Sequence, residues 1–178
     1  MANLINRSPS GLVDALCERV DNLLSGSFWM KSEFQKPDVK PEDIEYHTPH
    51  VHAQFMPVSL TSDADRDKSK DYPVVLIACT DGTVNNFDPT ALSTTLKVML
   101  YFGVWDNTPD NQGWRSAVAM AWRVMQDLMS SKICNGYVLD VPIKLEQLLD
   151  KEPPYFSAVL ETFWKGAPPA IEVPNEQI

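Results

Sequence analysis

All three histidines of this 178-residue chain fall in one short stretch, His47-Thr48-Pro49-His50-Val51-His52. If the stretch is extended, His50 and His52 share a face and could hold zinc or another transition metal with help from a carboxylate. No cysteine or acidic residue stands at ligand spacing nearby, and Pro49 favours a loop whose imidazoles cap backbone groups or face solvent. The loop reading outweighs the metal site. A Cys–His nucleophile is the next chemistry to consider, because its partners meet in space and not in sequence. Cys79 is the candidate, since it ends the apolar run Pro73-Val74-Val75-Leu76-Ile77-Ala78. The same run argues more strongly for a buried, inert thiol. Cys17 falls inside an amphipathic helix and Cys134 at a helix exit, and neither has a visible activator.

Asp81, Asp88, Asp106 and Asp110 fall in expected loops at what would be one end of a sheet. Paired carboxylates there would bind a cation or exchange protons. Asp also builds turns with no further role, which is the stronger reading. No dinucleotide fingerprint, P-loop, Gly-x-Ser-x-Gly elbow or zinc-protease helix motif is present. The residues therefore predict no catalytic group, no cofactor and no metal: a protein that is not an enzyme. The aromatics point elsewhere. Phe28, Trp29 and Phe34 fall in an irregular stretch, and Trp164 stands just before an extended tail. Aromatic groups in such places anchor interfaces or cover the ends of a core, and the sequence favours neither.

Periodicity marks out the helices and strands that carry these residues. Ser8 as N-cap and Pro9 at the first helical position open a helix over 9–25. Its face is Leu12, Val13, Leu16, Val20, Leu23 and Leu24, and Gly26 is the expected stop. Residues 27–71 read as a long irregular segment. It holds a short edge strand around Val51, Ala53 and Phe55, and a polar mobile loop over 61–71. Residues 73–79 and 95–104 read as two strands of an antiparallel hairpin, with Asp81-Gly82 and Asn85-Asn86 as turn chemistry. A second helix is expected over 113–131, capped by Asp110 or Asn111, with Trp114, Val118, Ala121, Trp122, Met125, Leu128 and Met129 at helical spacing. Two closing strands follow. In the first, Val141, Ile143 and Leu145 alternate with polar residues, and Pro142 marks an edge or a bulge. The second, 155–164, carries large side chains on both faces, so both are expected to be covered. Residues 167–178 read as an extended tail. The expected fold is one α+β domain over 1–178: a two-layer sandwich, mainly antiparallel sheet, with two helices packed on one face.

Composition narrows the classes further. The formal charge of −9, with Lys and Arg scattered singly, weighs against DNA or RNA as the main partner. No apolar run approaches the ~20 residues of a membrane helix, and no secretory signal is visible at the N-terminus. Three widely spaced cysteines fit free thiols in a reducing compartment.

The order of elements resembles the tail terminator (tail completion) proteins of long-tailed bacteriophages, and the related minor tail and head–tail joining proteins. The resemblance is carried by Leu12–Leu24, the strand Tyr72-Pro73-Val74-Val75-Leu76-Ile77, Leu92–Val104, Trp114–Met129, Tyr137–Leu145 and Tyr155–Trp164. It covers most of the chain through topology and texture, with no diagnostic motif. It implies a ring, in that family a hexamer, which caps the tail tube and meets head-connector proteins. The implied location is the host cytoplasm during assembly, then the virion tail or neck. Segment 27–71 and the tail 167–178 are the arms available to reach a neighbour.

Overall fold

A computed structural model of the chain describes residues 8–27, 30–31, 46–56, 71–84, 94–106, 112–149 and 153–167. The first helix, α1, runs Pro9–Ser27, passing through Gly26 where a stop was expected. Its start is capped as the sequence predicts, Gly11 N donating to Ser8 Oγ at 3.1 Å. Leu12, Leu16, Val20 and Leu24, four residues apart on one face, are buried in the core.

Three short strands follow: β1 (Met30–Lys31), β2 (Tyr46–His47) and β3 (His50–Ala53). The segment read as irregular thus contains strand structure, with β1 and β2 pairing antiparallel. The two long hairpin strands, β4 (Val74–Val84) and β5 (Thr94–Trp105), pair antiparallel as expected. A bulge between Cys79 and Asp81 lets β4 continue through Asp81-Gly82, which was expected to turn. Then come α2 (Gly113–Ser130), β6 (Ile133–Cys134), β7 (Tyr137–Leu148) and β8 (Tyr155–Gly166). The register of β7 on β8 shifts between Asp140 and Lys144, which is where Pro142 predicted an irregularity.

The main sheet has six strands in the order β3-β4-β5-β8-β7-β6. All its pairs are antiparallel except β3 with β4, so the expected edge strand is present but parallel. The described residues are therefore mixed α/β, with two helices and a six-stranded sheet curled into a half-barrel. Strict alternation organises it. On β5, Leu96, Val98, Leu100, Phe102 and Val104 are buried, and the residues between them are half-buried. The buried set joins Ala158, Leu160 and Trp164 of β8 and the inward residues of both helices in one core.

Two polar devices lock this core. Thr162 Oγ1, fully buried, donates to Val98 O at 2.8 Å and accepts from Trp164 Nε1 at 2.9 Å. Arg19 fastens α1 to the C-terminal end of α2. Its Nε donates to Asp127 Oδ2 at 2.6 Å, and its terminal nitrogens donate to the carbonyls of Asp127 (2.7 Å) and Ser131 (2.8 Å). A cation is favoured there by the helix dipole as well.

Candidate interaction site

The face of the sheet away from the helices carries no helix among the described residues. Its β8 residues are nonetheless half-buried, and Val159 is buried. This open face is divided along its length. One end is ionic: Lys97 pairs with Glu161 at 2.7 Å and Lys165 with Asp140 at 2.9 Å. Hydrogen bonds from these lysines hold the Glu161 and Asp140 carboxyls below the usual carboxylate range. The other end is aromatic. There β5 places Gly103 between Val74 of β4 and Ser157 of β8. With no side chain at Gly103, the Tyr72 ring lies against the strand: a Cβ built on Gly103 would come within 3.0 Å of Tyr72 Cε1. Tyr155 packs on Tyr72 with ring centroids 5.8 Å apart, and Trp105 meets Tyr155 edge-on at 4.8 Å. Burial, followed by the nearby Tyr155 and Asp71, pushes the Tyr72 phenol up from its ordinary pKa. Beside these rings is a hollow of about 200 Å³, with Met56, Tyr101, Leu148 and Ser157 also on its wall. Phe55 and Leu149, the chain neighbours of Met56 and Leu148, are 81% and 82% exposed.

A second apolar surface lies on α2. The helix buries Ala117, Met120, Ala121, Val124 and Leu128, a face of mostly modest side chains. Trp114, Trp122 and Met129, which the spacing assigned to the core-facing stripe, stand outside it, with Trp122 51% exposed. Ile133 and Val138 on the neighbouring β6–β7 hairpin are exposed too. Among the described residues β3 covers β4 only from Val74 to Ile77, and β6 covers β7 only at Tyr137 and Val138.

The residues singled out for chemistry are scattered. His50 and His52 do share a side of β3, their rings stacked with centroids 6.4 Å apart. Among the described residues no group of three His, Cys, Asp or Glu is placed to hold a metal. His47 lies in β2. Cys79 is half-buried, and burial raises its pKa, as it does for Cys134. Cys17 is pushed up to about 11 by burial and by the charges of Asp14 and Asp21. None of the three therefore has the depressed pKa of a reactive thiol.

Asp81 and Asp106 stand at opposite ends of the β4–β5 hairpin, not together. Asp81 Oδ1 accepts from Gly82 N, a local bond. Asp106 is buried and accepts from Gly113 N at 2.6 Å, so it caps α2 from seven residues upstream. Asp88, Asp110, Asn111, Phe28, Trp29, Phe34, residues 61–70 of the polar loop and 168–178 of the tail lie outside the described residues. Trp164 is core, not surface. The aromatic cluster escaped the sequence reading because Tyr72, Trp105 and Tyr155 belong to three separate segments. The one available signal was Gly103 interrupting an otherwise bulky strand, which often marks a close approach.

No helix among the described residues is long and apolar enough to cross a membrane. No protein-family model matches the chain, and no curated protein sequence matches it.

Proposed function

We propose that this chain is a virion structural protein of a bacteriophage or prophage, a tail terminator or tail-completion protein. Copies close into a ring, a hexamer by resemblance, which caps the tail tube and joins it to the head. The observation that carries the reading is the placement of exposed apolar surface. The rim of the aromatic hollow and the outer stripe of α2 are two different surfaces of one subunit, and a head-to-tail ring buries two different surfaces at each contact. In this reading the helices and sheet are the two layers of an α+β sandwich, and the open sheet face and strand edges turn toward neighbours. The mechanism is steric: the closed ring stops tube growth and presents a surface to head-connector proteins. The partners are other copies, the tube and the connector, with no nucleic-acid specificity and no membrane. The protein acts in the host cytoplasm during assembly and in the tail or neck afterwards. Another head–tail adaptor or minor tail protein would differ only in its partner. An enzyme or metal-binding domain built on His47, His50 and His52 or on Cys79 has no observation in its favour.

The test is native mass by light scattering over a range of concentrations, with tail-tube protein polymerised in parallel. The expected results are a discrete species near six copies of the 20.0 kDa chain, about 120 kDa, and tubes of limited length when the chain is present. A monomer at every concentration, together with unaltered tube growth, refutes the proposal.

A further inference from the structure

The aromatic end of the open sheet face holds two polar atoms that the fold leaves unsatisfied. Ser157 Oγ and Trp105 Nε1 are buried, and neither makes a hydrogen bond among the described residues. Ser157 lines the hollow directly, and Trp105 stands behind Tyr155, which also lines it. Native structures seldom leave buried polar atoms unpartnered without a reason. Aromatic walls with polar groups between them are suited to an extended proline-rich chain. Pyrrolidine rings lie on aromatic faces, and a polyproline II backbone makes no internal hydrogen bonds, so its carbonyls are free to accept.

The chain carries such a segment immediately after β8, Ala167-Pro168-Pro169-Ala170-Ile171-Glu172-Val173-Pro174. With three residues per turn of polyproline II, Pro168, Ile171 and Pro174 would form one apolar face. The same molecule is unable to lay the whole of that face in its own hollow, because Pro168 cannot reach it. β8 runs about 30 Å from Ser157 to Gly166, at roughly 3.3 Å per residue. Pro168 reaches no more than about 7 Å beyond Gly166. The hollow and the end of β8 from which the segment departs thus stand at opposite ends of one strand, the arrangement a head-to-tail contact requires.

We infer that the hollow receives the Pro168–Pro174 segment of a second copy, with Ser157 Oγ donating to a carbonyl of that segment. This rests on the self-association proposed above and names the contact that makes it. Proline pre-pays part of the ordering entropy, so a short segment suffices.

The experiment titrates a fluorescently labelled peptide of residues 166–178 with the full chain, held below the concentration at which it associates, and reads anisotropy. Saturable binding is expected. Ser157→Ala should weaken it about fivefold to tenfold, the usual worth of one hydrogen bond. A peptide carrying Pro168→Ala, Ile171→Ser and Pro174→Ala should bind at least tenfold more weakly, and this arm leaves the folded protein untouched. No saturable binding, or equal binding of the altered peptide, overturns the inference. Equal binding of an unrelated proline-rich peptide also overturns it, and assigns the hollow to an outside partner. Native mass measured alongside separates the two proposals. Rings without peptide binding refute this contact and leave the ring standing. Peptide binding by a chain that associates without closing a discrete ring supports the contact and refutes the ring, whereas a chain that stays monomeric at every concentration refutes both.

Discussion

Replacing Thr162 with valine should cost far more than a change of one atom implies. The side chain keeps its volume and its branching, so packing is nearly conserved. What goes is a hydroxyl that donates to Val98 O at 2.8 Å and accepts from Trp164 Nε1 at 2.9 Å. Trp164 is fully buried, so no solvent can replace the lost acceptor. An orphaned buried donor costs about 1–3 kcal/mol, and the lost bond to Val98 adds about 0.5–1.5 kcal/mol. The greater apolarity of valine offsets part of this, leaving a net loss of about 2–3 kcal/mol. For a chain of this size that lowers the melting temperature by about 5–10 °C. The assay is urea unfolding followed by far-ultraviolet circular dichroism, in a cycle with Trp164→Phe. In the Thr162→Val background the indole has already lost its acceptor, so Trp164→Phe should be milder there by about 1–2 kcal/mol. A Thr162→Val protein within about 0.5 kcal/mol of wild type, or an additive cycle, would mean that the hydroxyl is not what satisfies the indole.

Arg19→Ala should destabilise the chain by about 2–3 kcal/mol in the same assay, because it strips three hydrogen bonds from the end of α2, while Arg19→Lys, a point charge without the fork, should recover less than half. Gly103→Ala would set a methyl 2.9 Å from Val74 Cγ1 and 3.0 Å from Tyr72, so a loss of about 1–2 kcal/mol and an altered near-ultraviolet spectrum are expected. All three thiols should alkylate more slowly than free cysteine at pH 8, since each is held above its ordinary pKa. Because folded Cys17 keeps its proton up to about pH 11, its contribution to stability is complete below pH 9 and is lost as pH rises from there toward 11. A folded protein whose stability is flat between pH 9 and 11 would contradict this.

The sequence was most legible where a local rule is strong. Ser8-Pro9 announces α1, the alternation of 96–104 announces β5, and Pro142 announces an interruption in β7. It misled where two faces compete for one pattern. On α2, Ala121 and Leu128 of the expected stripe are buried and Val118 and Met125 pack on the core, but the large apolar Trp114, Trp122 and Met129 stand outside it. Close packing on β5 and β8 selects the smaller residues, and the large ones are left outside. Asp106 likewise reads as a turn residue, and only the fold brings it back to the start of α2. The aromatic hollow depends on three segments meeting over a glycine, and pairing of that kind leaves no periodic trace.

The contrast between Trp105 and Trp164 separates stability from binding. Both indoles lie on adjacent strands of one sheet, and both nitrogens are buried. Trp164 has its acceptor in Thr162, on the helix-covered face. Trp105 Nε1 has none among the described residues, on the open face. If burial alone governed both, Trp→Phe would destabilise at either position by the lost ring area. Removing an orphaned donor instead relieves about 1–3 kcal/mol, which balances or exceeds the area lost on shrinking the ring. Trp105→Phe should therefore leave the monomer as stable as wild type, or up to about 1 kcal/mol more stable, whereas Trp164→Phe loses about 2 kcal/mol or more. Urea midpoints of the two variants, measured at a concentration where the chain is dissociated, decide the matter. Equal losses would mean that the Trp105 nitrogen is satisfied after all, and that the open face is ordinary packing rather than a surface held ready for another chain.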